Sequence, residues 1–188
     1  MTDEPEAKKL KTTEDGPTGW ENHTMNVSEA LVKEVEGQQF QELVNAEVSA
    51  LKGIGPFSTG VLDALGIRTI CELAKYKFFL IARAIQTLSA TETKGGRLKG
   101  SRINVDNAVD KEYETKTLKE MCEAPVEALD GIGSQACELL ETLGVRTVSD
   151  LAEFKYCRWA EAIVHAAEFG ETKTAKERKV QAALKKLE

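Results

Sequence analysis

The sequence predicts an all-α protein made of two duplicated small helical domains joined by a flexible linker. Three observations carry that expectation. Leu51-Lys52-Gly53-Ile54-Gly55 returns as Leu129-Asp130-Gly131-Ile132-Gly133, 78 positions later. The match runs on without a gap: Leu62 with Leu140, Leu65-Gly66 with Leu143-Gly144, Arg68-Thr69 with Arg146-Thr147, Leu73-Ala74 with Leu151-Ala152, and Ala84-Ile85 with Ala162-Ile163. Around both Gly-Ile-Gly segments apolar residues recur at helical spacing. Phe40, Leu43, Val44 and Leu51 precede the first, Val61, Leu62 and Leu65 come after it, and Leu118, Met121, Cys122 and Leu129 precede the second. Thr69 with Glu72, and Thr147 with Asp150, have capping-box spacing, so a further short helix begins after each.

Taken in order, residues 1–26 hold Pro, Gly, Thr and charges with little apolar content, and read as a disordered tail. Lys8-Lys9-Leu10-Lys11 within it has the composition of a basic nuclear address, and Trp20 is the first residue expected to be anchored. The first domain spans 27–92. It opens with a short helix over 26–36, Ser28 as N-cap and Leu31, Val32 and Val35 facing inward. Each Gly-Ile-Gly suits a tight turn, because glycine enters φ > 0 without steric cost while the isoleucine points back into the core. Ile54 and Ile132 are therefore expected to be buried, and Leu65 and Leu143 to anchor each core. Longer helices come next, over Lys77 to Leu88 and Lys155 to Ala167. Residues 93–117 form the linker: basic and glycine-rich at first, then polar and acidic from Asp106 to Glu114. The second domain spans 118–188. It closes with an amphipathic helix whose Val180, Ala183, Leu184 and Leu187 are expected to pack on the second repeat. Repeats of roughly 50 residues sit near the lower limit for a core that folds unaided.

Composition narrows the function classes. Of 188 residues, 41% are hydrophobic and 30% charged, ordinary for a soluble globular protein. No run of eighteen apolar residues is present, so no membrane insertion is expected. The N-terminus lacks a secretory core. The chain is expected to be intracellular, in cytoplasm or nucleus, or in an organelle if a targeting peptide has been removed. Cys71, Cys122, Cys137 and Cys157 show no Cys-x-x-Cys spacing, and none matches a cysteine of the other repeat. That argues for free thiols in a reducing compartment rather than a metal or disulfide framework. The two histidines, His23 and His165, have no repeated counterpart, Thr87 standing where a match to His165 would be. The aromatic residues Tyr76, Phe78, Phe79, Phe154, Tyr156 and Trp159 have the spacing of an apolar helix face. No nucleophile–base pair, phosphate loop or metal cluster is legible, so an enzyme is not expected, nor a cofactor.

The turns and the helices after them resemble the helix-hairpin-helix family, whose signature is Gly-hydrophobic-Gly and then a helix ending in Leu-Gly-Ile or Leu-Gly-Val. The run Arg68 to Ala74 is similar to an extension in the small helical domains at the front of strand-exchange recombinases. The likeness covers residues 40–92 and 118–171. It implies a turn whose backbone N–H groups hold a DNA phosphate without reading sequence. The candidate contact is then Lys52, Gly53, Ile54 and Gly55, with the linker bases Lys94, Arg97, Lys99 and Arg102.

Charge opposes that use of both turns. Residues 40–92 carry five acids against five bases, and residues 118–171 carry eleven acids against four bases, net −7. Asp130 replaces Lys52, and neither run after the glycines carries a base. Gly131, Ile132 and Gly133 are therefore expected to be structural. The favoured expectation is a non-catalytic interaction module that binds protein partners, the second repeat offering an acidic face. The alternative is non-sequence-specific nucleic-acid binding through the first turn and the basic linker.

Overall fold

The structure is a computed structural model in which residues 18–186 are described. Lys8 to Lys11 and Leu187 lie outside the described residues. The architecture is all-α. Among the described residues there are nine helices: α1 Phe40–Leu43, α2 Pro56–Ala64, α3 Ile70–Ala74, α4 Lys77–Ser89, α5 Leu118–Glu123, α6 Ser134–Thr142, α7 Val148–Ala152, α8 Lys155–Ala167 and α9 Ala175–Leu184. Short 3₁₀ turns stand at Val48–Ala50, Asp106–Ala108 and Val126–Ala128. Of β structure, isolated antiparallel bridges are present.

The repeat is reproduced element by element. Helices α2, α3 and α4 recur as α6, α7 and α8 at the 78-residue offset, with the same lengths, and α1 recurs as a longer α5. The causes are local and duplicated. The Thr69 hydroxyl accepts the Glu72 N–H at 3.2 Å and the Thr147 hydroxyl that of Asp150 at 3.0 Å, and in each case the carboxylate reaches back to the cap backbone. Gly66 and Gly144, at φ +77° and +82°, end α2 and α6. The next residues, Ile67 and Val145, then donate to the carbonyls of Leu62 and Leu140 at 2.8 and 3.0 Å.

The duplication also reaches further upstream than the linker boundary predicts. Leu31 bridges to Leu51 and Val109 to Leu129. Lys52 N–H donates to Ala30 C=O at 3.0 Å, and Asp130 N–H to Ala108 C=O at 3.1 Å. Turns replace the helix expected over 26–36, because Ala30 C=O and Val32 N–H are committed to the segment before the Gly-Ile-Gly turn. The corresponding residues 105–117 belong to the second repeat, and only 93–104 connect the two halves. A sequence signal for this exists. Val27, Ala30, Lys33, Glu34 and Glu36 recur as Val105, Ala108, Lys111, Glu112 and Glu114.

The chain divides into two compact units. One is Val27–Gly170; the other groups the terminal segments, within which residues 18–26 and 171–186 are described. The two repeats thus share one unit instead of forming domains over 27–92 and 118–188. Helix α3 packs on α8 and α4 on α7, while α1 packs on α8 and α4 on α5. Each half lays its long helix on the short helices of the other. The reason is size: about fifty residues bury too little apolar surface to stand alone, and the halves complete one core. Phe79, Leu43, Leu62, Ile70 and Leu73 of the first half join Leu129, Leu140, Val148 and Leu151 of the second within it.

Three finer expectations are corrected. Ile54 is buried but Ile132 is only half-buried. Leu65 and Leu143 are half-buried, since each is the C-cap residue of its helix. The full burial falls on Leu62 and Leu140, one turn earlier. Helix α9 clusters with the N-terminal segment rather than with the second repeat. Its Ala175 N–H donates to Thr18 C=O at 2.9 Å, so the stretch expected to be a free tail is tied down at Thr18.

Candidate functional site

The first turn commits two of its backbone donors, those of Lys52 and Ile54, to the chain itself. Gly53 sits at φ +100°, a left-handed conformation that favours glycine. Ile54 N–H donates to Leu51 C=O at 3.1 Å and Lys52 N–H to Ala30 C=O at 3.0 Å. Helix α2 then opens on Pro56, which has no N–H, leaving the amides of Phe57 and Ser58 at the helix start. The Lys52 ammonium lies 3.3 Å from Glu29, an exposed pair that sets a carboxylate beside the one cation of the turn.

A side chain from the other half walls this turn. A Cβ added at Gly53 would stand 2.6 Å from the Tyr156 hydroxyl, whereas one at Gly131 would meet nothing within 4 Å. Tyr156 is the counterpart of Phe78, which lacks the hydroxyl that makes the reach. Tyr156 is held edge-on by Phe154 at 5.3 Å and Trp159 at 5.8 Å between ring centres. The Lys155 ammonium lies over the rings of Tyr156 and Trp159 at 4.8 and 5.3 Å. This aromatic group, expected as core, is half-buried and doubles as the wall of the first hairpin. The second turn has Gly131 at φ +82° and the exposed Asp130 in place of Lys52.

Lys94, Arg97, Lys99 and Arg102 are all exposed. Arg97 donates to Ser101 C=O at 2.8 Å, closing a small loop within the linker. Among the described residues no hydrogen bond or ion pair joins these bases to Lys52–Gly55.

Elsewhere, titratable chemistry is subdued. Among the described residues no group of three or more His, Cys, Asp or Glu stands close enough to hold a metal ion. The four cysteines are free. Burial pushes the Cys157 thiol up and, with Glu127 and Glu138 nearby, raises that of Cys137. Burial, then Cys157 and Cys137, push the Tyr76 hydroxyl up to about 12. His165 Nδ1 is 3.9 Å from an exposed Glu168 carboxylate. No helix among the described residues is long and apolar enough to cross a membrane.

One surface escapes the sequence expectations. Phe57 is 66% exposed, and Gly60 and Ala64, three and seven positions on, share its face of α2 and are exposed too. A Cβ on Gly60 would meet nothing within 4 Å, so packing does not require glycine there. The matching face of α6 is Gln135, Glu138 and Thr142. A glycine in the middle of a helix was the available signal. Comparison of the chain with protein-family models, with curated proteins and with solved structures returns no match.

Proposed function

We propose that the chain is a non-catalytic interaction module that binds a protein partner, with the outward face of α2 as its principal contact. The observation that carries this is the Phe57–Gly60–Ala64 face. A solvent-facing phenylalanine beside two residues with almost no side chain is a shallow apolar seat, the form that a partner's side chain can enter closely. Glycine inside an exposed helix costs about 1 kcal/mol relative to alanine, a cost with no return inside the chain. The second half adds the acidic side of the module, and four free thiols suit a reducing compartment inside the cell. The test is affinity capture from native extract with the full chain, then binding of the captured protein to purified variants. Phe57→Asp and Gly60→Glu should each weaken binding at least tenfold, while Lys52→Asp leaves it unchanged. Equal binding by all three variants removes α2 as the contact.

A second reading rests on the exposed linker bases and on the helix-hairpin-helix resemblance: contact with a nucleic-acid backbone through Lys52, Gly53 and Gly55, assisted by Lys94, Arg97, Lys99 and Arg102. Against it stand the Tyr156 wall and the Lys52–Glu29 pair. Wild type should bind duplex DNA weakly or not at all at low salt. If it does bind, Lys52→Asp should abolish binding and Asp130→Lys strengthen it, with a steep salt slope. A wild-type chain that binds duplex DNA tightly would reverse the order of the two readings.

A further inference from the structure

Arg83 and Glu161 form an ion pair, and they are counterparts, 78 positions apart in the duplication. In an assembly of two equivalent halves, counterparts touch only where the twofold axis passes. Helices α2 and α6, also counterparts, touch each other. The remaining principal contacts between the halves come as exchanged pairs: α3 on α8 answers α7 on α4, and α1 on α8 answers α5 on α4. The ends of the long helices obey the same exchange. Beyond α4, the Glu92 carboxylate accepts the N–H groups of Leu118 and Lys119 at the start of α5, at 2.8 and 3.0 Å. At the end of α8 and just past it, the carbonyls of Ala167 and Gly170 accept from the Gln41 amide on α1, at 2.6 and 3.0 Å. Residues 27–170 are therefore a pseudo-dimer contained in one chain.

Such an interface does not distinguish which chain supplies each half. We propose that a second copy of this chain is a partner, entering by reciprocal exchange of halves across this axis, and that the charges at positions 83 and 161 select which halves meet. First half on first half sets Arg83 against Arg83; second half on second half sets Glu161 against Glu161. Glu161 is the buried charged side chain among the described residues, at 8% exposure, while Arg83 is about half exposed, so like charge is screened least where two Glu161 side chains would meet. Unlike halves alone satisfy it. In the wild-type chain the tethered half wins at low concentration, because the linker holds it at high effective concentration. The exchanged dimer has the same contacts and grows with concentration. Residues 93–104, twelve positions at roughly 3.5 Å each when extended, span up to about 40 Å, enough to open.

The test uses two full-length variants. Arg83→Glu leaves acid at both axis positions; Glu161→Arg leaves base at both. Each is unfolded in urea and refolded alone, and the two are refolded together at equal amounts, with read-out by native mass spectrometry and light scattering. Alone, each should give a lower urea midpoint than wild type and no dimer. Together they should give a one-to-one heterodimer in at least tenfold excess over either homodimer, with the midpoint moved back toward wild type. That outcome is readable even if neither variant folds by itself. The double reversal, Arg83→Glu with Glu161→Arg, should behave as wild type. A mixture that yields only the separate species, or homodimers as abundant as the heterodimer, overturns the proposal.

Discussion

Gly53 is held to glycine twice, once by its φ of +100° and once by the Tyr156 hydroxyl lying where a Cβ would go. Gly131 carries only the first constraint. Replacing either by alanine puts an L-residue into the left-handed region, at about 1–2 kcal/mol. Gly53→Ala should cost more, because Tyr156 is wedged between Phe154 and Trp159 and has little room to swing away. Urea melts of Gly53→Ala, Gly131→Ala and both on a Tyr156→Phe background separate the two terms. The expected result is a larger loss at Gly53 that shrinks toward the Gly131 value once the hydroxyl is gone. Equal losses throughout would mean that Tyr156 yields freely. The requirement for φ > 0 was legible in the Gly-Ile-Gly pattern, since it is a property of the turn itself. The Tyr156 contact was not, because the two residues are joined only by the packing of the halves.

At the scale of elements, the capping boxes were the most legible feature and remain the easiest to test. Their chemistry lies within four residues. Backbone N–H groups at the cap, then the threonine hydroxyl, hold the Glu120 and Glu177 carboxyls below their ordinary range, and cap backbone N–H groups do the same for Glu72 and Asp150. A carboxyl depressed in the folded state adds stability above its unfolded value and loses it as pH falls through the folded one. These caps should therefore leave stability flat from pH 7 to about 5 and contribute to its fall on the acid side of about 4. Thr69→Ala and Thr147→Ala should each cost about 1 kcal/mol at pH 7. Glu72→Gln and Asp150→Asn, which remove the titrating carboxylates, should flatten the acid limb of a plot of urea midpoint against pH; an unchanged limb would place the acid sensitivity elsewhere. The segment 26–36 shows the opposite case. Leu31, Val32 and Val35 fit a helical stripe, yet hydrogen bonds to Ala50 and Lys52 decide their conformation, and no local window contains both partners. Leu62 and Leu65 are hard to tell apart in the sequence for a related reason: both fit the stripe, and only the helix end separates the anchor from the cap.

At the scale of the molecule, duplication predicted two copies of one element order, and that is what the structure has; it carries no information on whether the copies stand apart or embrace. The shared core makes cooperativity the decisive measurement. Leu62 and Leu140 are both about 2% exposed, and truncating either to alanine should cost about 2–5 kcal/mol. Because the core spans both halves, the loss should shift one common unfolding transition, monitored by far-ultraviolet dichroism. Two transitions, with Leu62→Ala moving one and Leu140→Ala the other, would describe halves that fold separately. The asymmetry at the first turn has an optical consequence. The chain has two tryptophans, and Trp20 lies in the other compact unit, so a Trp20→Phe chain emits from Trp159 alone. Trp159 stands edge-on to the tyrosine that touches Gly53, whereas a Cβ built at Gly131 of the second turn meets nothing within 4 Å. Its emission is thus a built-in gauge of the first hairpin, lit from the opposite half of the molecule and blind to the second.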